Sequence, residues 1–83
     1  MTVTSEFAKR VVAENIDREL ERLGWSQGEL HRRTGISRMT VSNICSGKYE
    51  PKASVLKTIA DALGVSMDAL VSEARKRKLQ SVA

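Results

Sequence analysis

Residues 27–44 restrict the fold of this chain more than any other segment. Ser26 precedes the segment and Glu29 follows three positions later, as in a capping box, where the hydroxyl accepts a free amide proton and the carboxylate reaches back. Gly35 stands where a tight corner needs a left-handed backbone, and Ser37 can cap a second helix. The segment predicts two short helices joined by a tight turn. The apolar residues spaced to lock them together are Leu30, Ile36, Val41 and Ile44.

Helical periodicity extends on both sides of this pair. A long amphipathic stripe predicts a first helix that begins at Ser5, a candidate N-cap, or at Lys9, and that stops before Gly24. The two short helices run to about positions 33 and 45. The downstream start and stop signals are Pro51 and Gly64 for a fourth helix and Ser66 for a fifth.

These elements predict one all-α domain of five helices. The 83 residues give room for one modest core, and 41% hydrophobic residues are too many for a disordered chain. The predicted organisation has an N-terminal extension over residues 1–8, a helical domain over 9–73 and a basic tail over 74–83. The extension includes the start of the first helix if that helix begins at Ser5.

Cysteine content and hydropathy limit the cellular context. Cys45 is the single cysteine, so no intrachain disulfide can form; packing is its expected role, with redox sensing as the alternative. No apolar run approaches the roughly 18 residues of a membrane span. The N-terminus lacks the positive charge and the apolar block of a signal peptide. The sequence therefore predicts a cytoplasmic protein without a membrane partner.

Positive charge is concentrated in the middle of the chain and in its tail. The net charge is +4, yet residues 31–57 hold six basic side chains against Glu50 alone, and positions 75–78 are all basic. Residues 6–29 and 58–74 each carry an acidic excess. A basic surface attracts a polyanion with salt-dependent affinity. Charge alone leaves open a solvated surface of mixed charge, and the tail can thread along DNA, bind another partner or cap the last helix.

Five motifs, in order along the chain, carry a family resemblance. They are LGWSQGEL at 23–30, TGIS at 34–37, VSNI at 41–44, SGK at 46–48 and, after Pro51, LKTIADALGVSMDAL at 56–70. Between positions 12 and 71 the chain resembles the helix-turn-helix domain of the lambdoid phage repressors, their Cro proteins and related bacterial regulators. The resemblance implies a five-helix domain that binds duplex DNA, usually as a dimer on a two-fold related site.

The resemblance also assigns DNA contacts by position. It implies base contacts for Ser37, Arg38, Met39, Ser42 and Asn43, and phosphate contacts for Gln27, Thr40, Lys48 and Lys52. Side-chain chemistry agrees, because arginine pairs with guanine, asparagine with adenine, and an apolar side chain contacts the thymine methyl. A helix N-terminus, where Gln27 stands, favours a phosphate. Met39 can instead pack inward, and Arg32 and Arg33 are left open between phosphate contact and a solvated helix surface.

His31 is the main departure from the family pattern. It stands where the family usually has a small residue at the crossing of the two helices, so its ring either forces them apart or leans toward solvent. A structural role is expected, with a pH-sensitive switch as the alternative. Ala69 stands where a glutamate often completes a capping box with Ser66, which costs the fifth helix about 1 kcal/mol. Trp25 is expected to pack with Leu30 as a hydrophobic staple rather than to stack on a base.

The predicted function is a sequence-specific, double-stranded DNA-binding transcription regulator of the repressor type. It would read the major groove with its third helix as a homodimer, on half-sites about one helical turn apart. Two alternatives stay open: the antitoxin of a toxin–antitoxin pair, and a protein-interaction module with the same fold. The sequence has no metal-ligand spacing, nucleophile–base arrangement or glycine-rich phosphate loop. No enzyme activity, cofactor, metal or small-molecule ligand is therefore predicted.

Overall fold

Five α-helices and no strands make up residues 5–72, the part of the chain that the computed structural model describes. The helices are α1 (Ser5–Leu23), α2 (Gln27–Thr34), α3 (Arg38–Cys45), α4 (Ala53–Leu63) and α5 (Met67–Val71). The prediction of an all-α fold with five helices is confirmed. Residues 1–4 and the predicted basic tail lie outside the described residues, and the predicted domain limits stay predictions.

The ends of the first two helices refine the sequence-based bounds. Of the two starts predicted for the first helix, the earlier one agrees with the structure. Ser5 lies within α1 rather than before it, so its prediction as the N-cap is wrong. Helix α2 ends at Thr34, one residue later than predicted, because Gly35 and not Thr34 leaves the helical backbone.

Three of the five helices have a serine N-cap whose hydroxyl binds a backbone amide of the first turn. Ser26, Ser37 and Ser66 are the N-caps of α2, α3 and α5, and each Oγ accepts the amide proton of the third residue along at 3.1 Å. The bond at Ser66 forms although that third residue is an alanine. Within the described residues the capping box at Ser26 is only half formed, because the Glu29 carboxylate binds two arginines further along α2 instead of the Ser26 amide.

The core lies between α1 and the shorter helices. Helix α1 packs against α3, α4 and α5, and α2 packs against α3 and α4. The buried side chains at the centre are Val12, Ile16, Leu20, Leu30, Val41, Ile44, Leu56, Ile59, Leu63 and Leu70. Burying an aliphatic side chain of this size stabilises the fold by roughly 1.5–3 kcal/mol. Trp25 is half-buried against this core, which agrees with a staple residue rather than a base-stacking one.

A buried amide fixes α5 on α1. Asn15 is only 3% exposed, and its Nδ2 donates to the carbonyl of Leu70 at 2.7 Å and to that of Ser72 at 3.3 Å. Its Oδ1 accepts a hydrogen bond from Arg18 Nη1 at 2.8 Å. The last carbonyls of a helix have no partner within the helix. The Asn15 amide supplies that partner, and it ties the end of α5 to the middle of α1.

A second buried polar residue of α1 reaches α4 through an arginine. The Glu19 carboxylate, on a residue only 4% exposed, accepts a hydrogen bond from Arg22 Nε at 2.6 Å. Arg22 Nη2 also donates to the carbonyl of Leu63, the last residue of α4, at 3.3 Å. Helix α1 therefore anchors the ends of both α4 and α5, and it forms the support on which α2 and α3 are mounted.

Candidate nucleic-acid interface

The turn between α2 and α3 is held by hydrogen bonds from the end of α2. Gly35 has a left-handed backbone with φ 76°, and its amide donates to the carbonyl of His31 at 2.9 Å. The Thr34 hydroxyl donates to the carbonyl of Leu30 at 2.8 Å and accepts the amide proton of Ile36 at 3.2 Å. These bonds satisfy the polar backbone of the corner, so the turn connects α2 to α3 in one fixed geometry.

Four apolar side chains lock α2 and α3 together. Leu30 is fully buried, Val41 and Ile44 are each 1% exposed, and Ile36 is half-buried against the same cluster. The sequence-based prediction of this lock is confirmed. Because α3 buries one face here, its opposite face is left to solvent.

His31 is tied to the turn. Its ring is half-buried, and Nδ1 lies 2.6 Å from the carbonyl oxygen of Ile36. A carbonyl oxygen can only accept a hydrogen bond, so Nδ1 carries the proton. The sequence left open whether the ring forces the helices apart or leans toward solvent. The structure shows neither extreme, because the ring is held against the backbone that leads into α3.

The outward face of α3 presents four of the five predicted base-contacting side chains. Arg38, Met39 and Ser42 are exposed, and Asn43 is half-buried. Met39 is 73% exposed, so the alternative in which it packs inward is wrong. Among the described residues, no hydrogen bond or ion pair engages the side chains of Arg38, Ser42 or Asn43. Their guanidinium, hydroxyl and carboxamide groups are therefore available to a ligand.

Ser37 and Thr40 differ from these residues because they bind each other. The Ser37 hydroxyl accepts the amide proton of Thr40 at 3.1 Å and donates to Thr40 Oγ1 at 2.9 Å. A base contact by Ser37 would therefore compete with the N-cap of α3. Thr40 Oγ1 accepts in this pair, which leaves its own proton to donate to a phosphate oxygen.

Half of the cations between residues 31 and 57 are held by carboxylates. The Glu29 carboxylate accepts hydrogen bonds from Arg32 and, at 2.6 Å, from Arg33 Nε. These arginine bonds lower the pKa of Glu29 below its ordinary value, Arg32 having the larger effect. Lys57 Nζ lies 3.3 Å from an Asp61 carboxylate oxygen.

Arg33 is engaged a second time. Its guanidinium carbon lies 4.2 Å from the centre of the Trp25 ring, within the range of a cation–π contact. Both partners of Arg33, the Glu29 carboxylate and the Trp25 ring, come from the N-terminal end of the helix pair. Arg32 and Arg33 are therefore paired with Glu29 on an exposed helix surface, and phosphate contact by either of them stays open.

The other half of these cations have no such partner. Within the described residues, the exposed side chains of Arg38, Lys48 and Lys52 take part in no ion pair or hydrogen bond. Lys48 follows the end of α3, where its amide donates to the carbonyl of Asn43 at 2.9 Å. Lys52 is the residue before α4 and makes no side-chain capping bond. These three cations are also the ones to which the sequence assigned DNA contacts.

The Arg38 guanidinium lies over the first turn of α2. A Cβ atom placed on Gly28 would stand 3.5 Å from Arg38 Nη1 and 3.9 Å from Arg32 Nη1. Both guanidinium groups therefore lie close to the first turn of α2, where Gln27 is exposed and where the helix dipole is positive. The fold brings positive charge from α3 next to the predicted phosphate contact at Gln27.

A cleft of about 310 Å³ lies away from this face, between α1 and the end of α3. Its lining includes the carboxylates of Glu6, Glu14 and Asp17, which repel a phosphate backbone, together with Cys45. Burial, and to a smaller degree the charge of Asp17, raises the pKa of the Cys45 thiol to about 11. The thiol therefore stays protonated, which agrees with the packing role and not with redox sensing.

Residues 5–72 hold neither a membrane span nor a metal cluster. None of the five helices combines the length and the apolar character that a bilayer span requires. The same residues contain no group of three or more histidine, cysteine, aspartate or glutamate side chains placed to hold a metal ion.

Comparison with known proteins places the chain in a family. A sequence model of a helix-turn-helix family matches residues 16–70, which include α2, the turn and α3. The chain belongs to the Cro/C1-type helix-turn-helix family. Its structure is similar to the crystal structure of a hypothetical transcription factor from Neisseria, with a TM-score of 0.81 and 28% sequence identity, over 96% of this chain and 92% of that one. No curated protein matches the chain.

Within this helix-turn-helix family, three features of the present chain were not found from the sequence. Glu29 was assigned to a capping box, whereas its carboxylate binds Arg32 and Arg33 and offsets one of their two positive charges. Nδ1 of His31 binds the carbonyl oxygen of Ile36, and the guanidinium groups of Arg32 and Arg38 lie close to Gly28. The spacing of Glu29 to the arginines, three and four residues, is the one signal that could have indicated its pairing.

Proposed function

We propose that this Cro/C1-type helix-turn-helix protein is a sequence-specific, double-stranded DNA-binding transcription regulator of the repressor type, and that it acts without enzyme activity in the cytoplasm. One observation carries the proposal. Of six cations between residues 31 and 57, the three without an intramolecular partner in the described residues are Arg38, the first residue of α3, Lys48, which follows α3, and Lys52, which precedes α4. The name of the Neisseria neighbour, a transcription factor, supports the same class.

Each proposed contact follows from position and chemistry. Phosphate contacts from Gln27, Thr40, Lys48 and Lys52 seat α3 in the major groove and set its register. Base contacts come from Ser37, Arg38, Met39, Ser42 and Asn43. Arg38 offers two parallel donors to guanine, and Asn43 offers a donor and an acceptor to adenine. Two copies of the chain bind half-sites about one helical turn apart.

Selection of bound duplexes from a random pool at physiological salt tests the proposal. We expect a two-fold related consensus, and sedimentation of the protein with the selected duplex should give two copies per site. Absence of any preferred sequence would overturn the proposal of a transcription regulator. The alternative of a protein-interaction module would then remain. Co-purification of a small partner protein would instead favour the antitoxin.

The role of Arg38 is tested within the selected site. Arg38→Ala should cost roughly 1–3 kcal/mol of binding free energy and relax the base preference at one position of each half-site. Lys57→Ala is the control, because Lys57 is an exposed cation to which no DNA contact is assigned and its Nζ lies 3.3 Å from an Asp61 carboxylate oxygen. If Arg38→Ala weakens binding to all sequences equally, the guanidinium contacts a phosphate and not a base.

A further inference from the structure

The His31 ring, on α2, binds a backbone carbonyl in the corner that leads into α3. The Ile36 carbonyl that its Nδ1 contacts at 2.6 Å belongs to the peptide joining Ile36 to Ser37. Ser37 is the N-cap of α3, so this peptide leads into the cap, and the next peptide joins Ser37 to Arg38, the first residue of α3. The other bonds of the turn fix the amides of Gly35 and Ile36, which lie earlier in the corner.

A small residue at position 31 cannot form this bond. Without it, the Ile36 carbonyl loses its hydrogen bond to α2, and the orientation of α3 is held by the bond between Thr34 and the Ile36 amide and by apolar packing. Asn43 lies six residues along α3 from Ser37, which is about 9 Å at the helical rise. A rotation of about 10° at the corner would therefore move it by roughly 1.5 Å. A displacement of that size is enough to break a two-point hydrogen bond to a base, whereas a flexible lysine can follow a phosphate through it.

We propose that His31 is a positioning residue for DNA reading: its ring fixes the orientation of α3, and with it sequence discrimination, without touching DNA. This proposal rests on the function proposed above. His31 affects the ratio between the affinity for the selected site and the affinity for other sequences. It leaves the phosphate contacts of Lys48 and Lys52 in place.

The ring hydrogen bond can be tested without DNA. A long-range ¹H–¹⁵N spectrum at pH 8, where a neutral imidazole is observed, should show the proton of His31 on Nδ1. The free ring of histidine in water favours the proton on Nε2, so the Nδ1–H form is a signature of the bond. A ring protonated on Nε2 would show that the bond to the Ile36 carbonyl does not form, and the proposal would be overturned.

Binding of two variants tests the consequence. His31→Ala removes the ring and His31→Phe keeps its bulk without the donor; circular dichroism reports whether each folds. Thr58→Val is the matched control, because it removes one hydroxyl–carbonyl bond, of 3.0 Å to Ser54, on α4. The affinity ratio between the selected duplex and duplexes altered at the Arg38 or Asn43 contact should fall about fivefold, the worth of one hydrogen bond, in both His31 variants.

Three outcomes separate the failure of this proposal from that of the proposed function. If the wild-type protein selects a sequence and both His31 variants keep its discrimination ratio, the positioning role is wrong and the regulator stands. A parallel loss of affinity for all duplexes would likewise exclude the positioning role and leave the regulator standing. If the wild-type protein itself prefers no sequence, the regulator fails, and the positioning role fails with it.

Discussion

Replacing Lys48 by alanine should reduce DNA binding in a salt-dependent way, whereas replacing Lys57 should not. Both lysines are exposed and lie in the basic segment, so exposure and charge do not distinguish them. The structure does, because Lys57 Nζ lies 3.3 Å from an Asp61 oxygen and the Lys48 ammonium has no partner among the described residues. An exposed pair of this kind is worth only about 0–1 kcal/mol. The comparison therefore tests whether so weak a pairing keeps a lysine off DNA.

The expected size of the effect follows from counterion release. Each phosphate contact adds about 0.9 to the slope of log affinity against log salt, so a homodimer without the Lys48 contact loses about 1.8. Between 50 and 200 mM salt, the affinity of the wild-type protein should therefore fall by a factor about 12 times larger than the affinity of the variant. Lys57→Ala should leave the slope within about 0.3 of the wild-type value.

Fluorescence anisotropy titrations at four or more salt concentrations measure this slope. Each variant is compared on the selected duplex and on an unrelated one, and circular dichroism shows that the helices are intact. Both duplexes should show the same loss for Lys48→Ala, because a phosphate contact carries no sequence information. An equal loss of slope in the Lys48 and Lys57 variants would refute the reasoning that intramolecular pairing decides which lysines reach phosphates.

Three further predictions concern the support and the cleft. Asn15→Ala removes the buried hydrogen bond to the Leu70 carbonyl and a second bond to the Ser72 carbonyl, and should lower the free energy of unfolding in urea by about 2–4 kcal/mol; a loss under about 1 kcal/mol would contradict this role. Burial and the neighbouring Glu21 raise the pKa of Asp17, so its ionised form opposes folding. Asp17→Asn should therefore raise Tm at pH 7, and this gain should vanish at pH 3, where the carboxyl is protonated; an equal gain at both pH values would show that the ionised carboxylate is not its cause. With a thiol pKa of about 11, Cys45 should resist iodoacetamide at pH 8 until the protein is unfolded, and full labelling of the native protein would exclude that environment.

The helices could be predicted from the sequence because their signals are local. Ser26, Ser37 and Ser66 each cap the helix that immediately follows, and the amide they bind is three residues away. The buried face of each helix is likewise marked by apolar residues within one or two turns. Gly35 marks the corner because the left-handed backbone is open to few other residues.

The hydrogen-bond and ion-pair partners of the polar side chains could not be predicted, because they depend on which of several groups lies within reach in the folded structure. Glu29 could reach back to the Ser26 amide or forward to two arginines, and geometry decides for the arginines. Asn15 binds carbonyls at the far end of the chain, 55 and 57 positions away. The His31 partner lies only five residues along, but it comes within reach only because Gly35 turns the chain.

Pairing by Glu29 has a consequence for how fast such a protein finds its target. A genome offers about 10⁶–10⁹ competing sites, and a contact to phosphate strengthens binding to all of them by the same factor. If this pairing keeps Arg32 and Arg33 from phosphates, it would shorten the time spent at each wrong site and leave the preference for the right one unchanged. In a regulator present in few copies per cell, this carboxylate would govern the speed of the search rather than its accuracy.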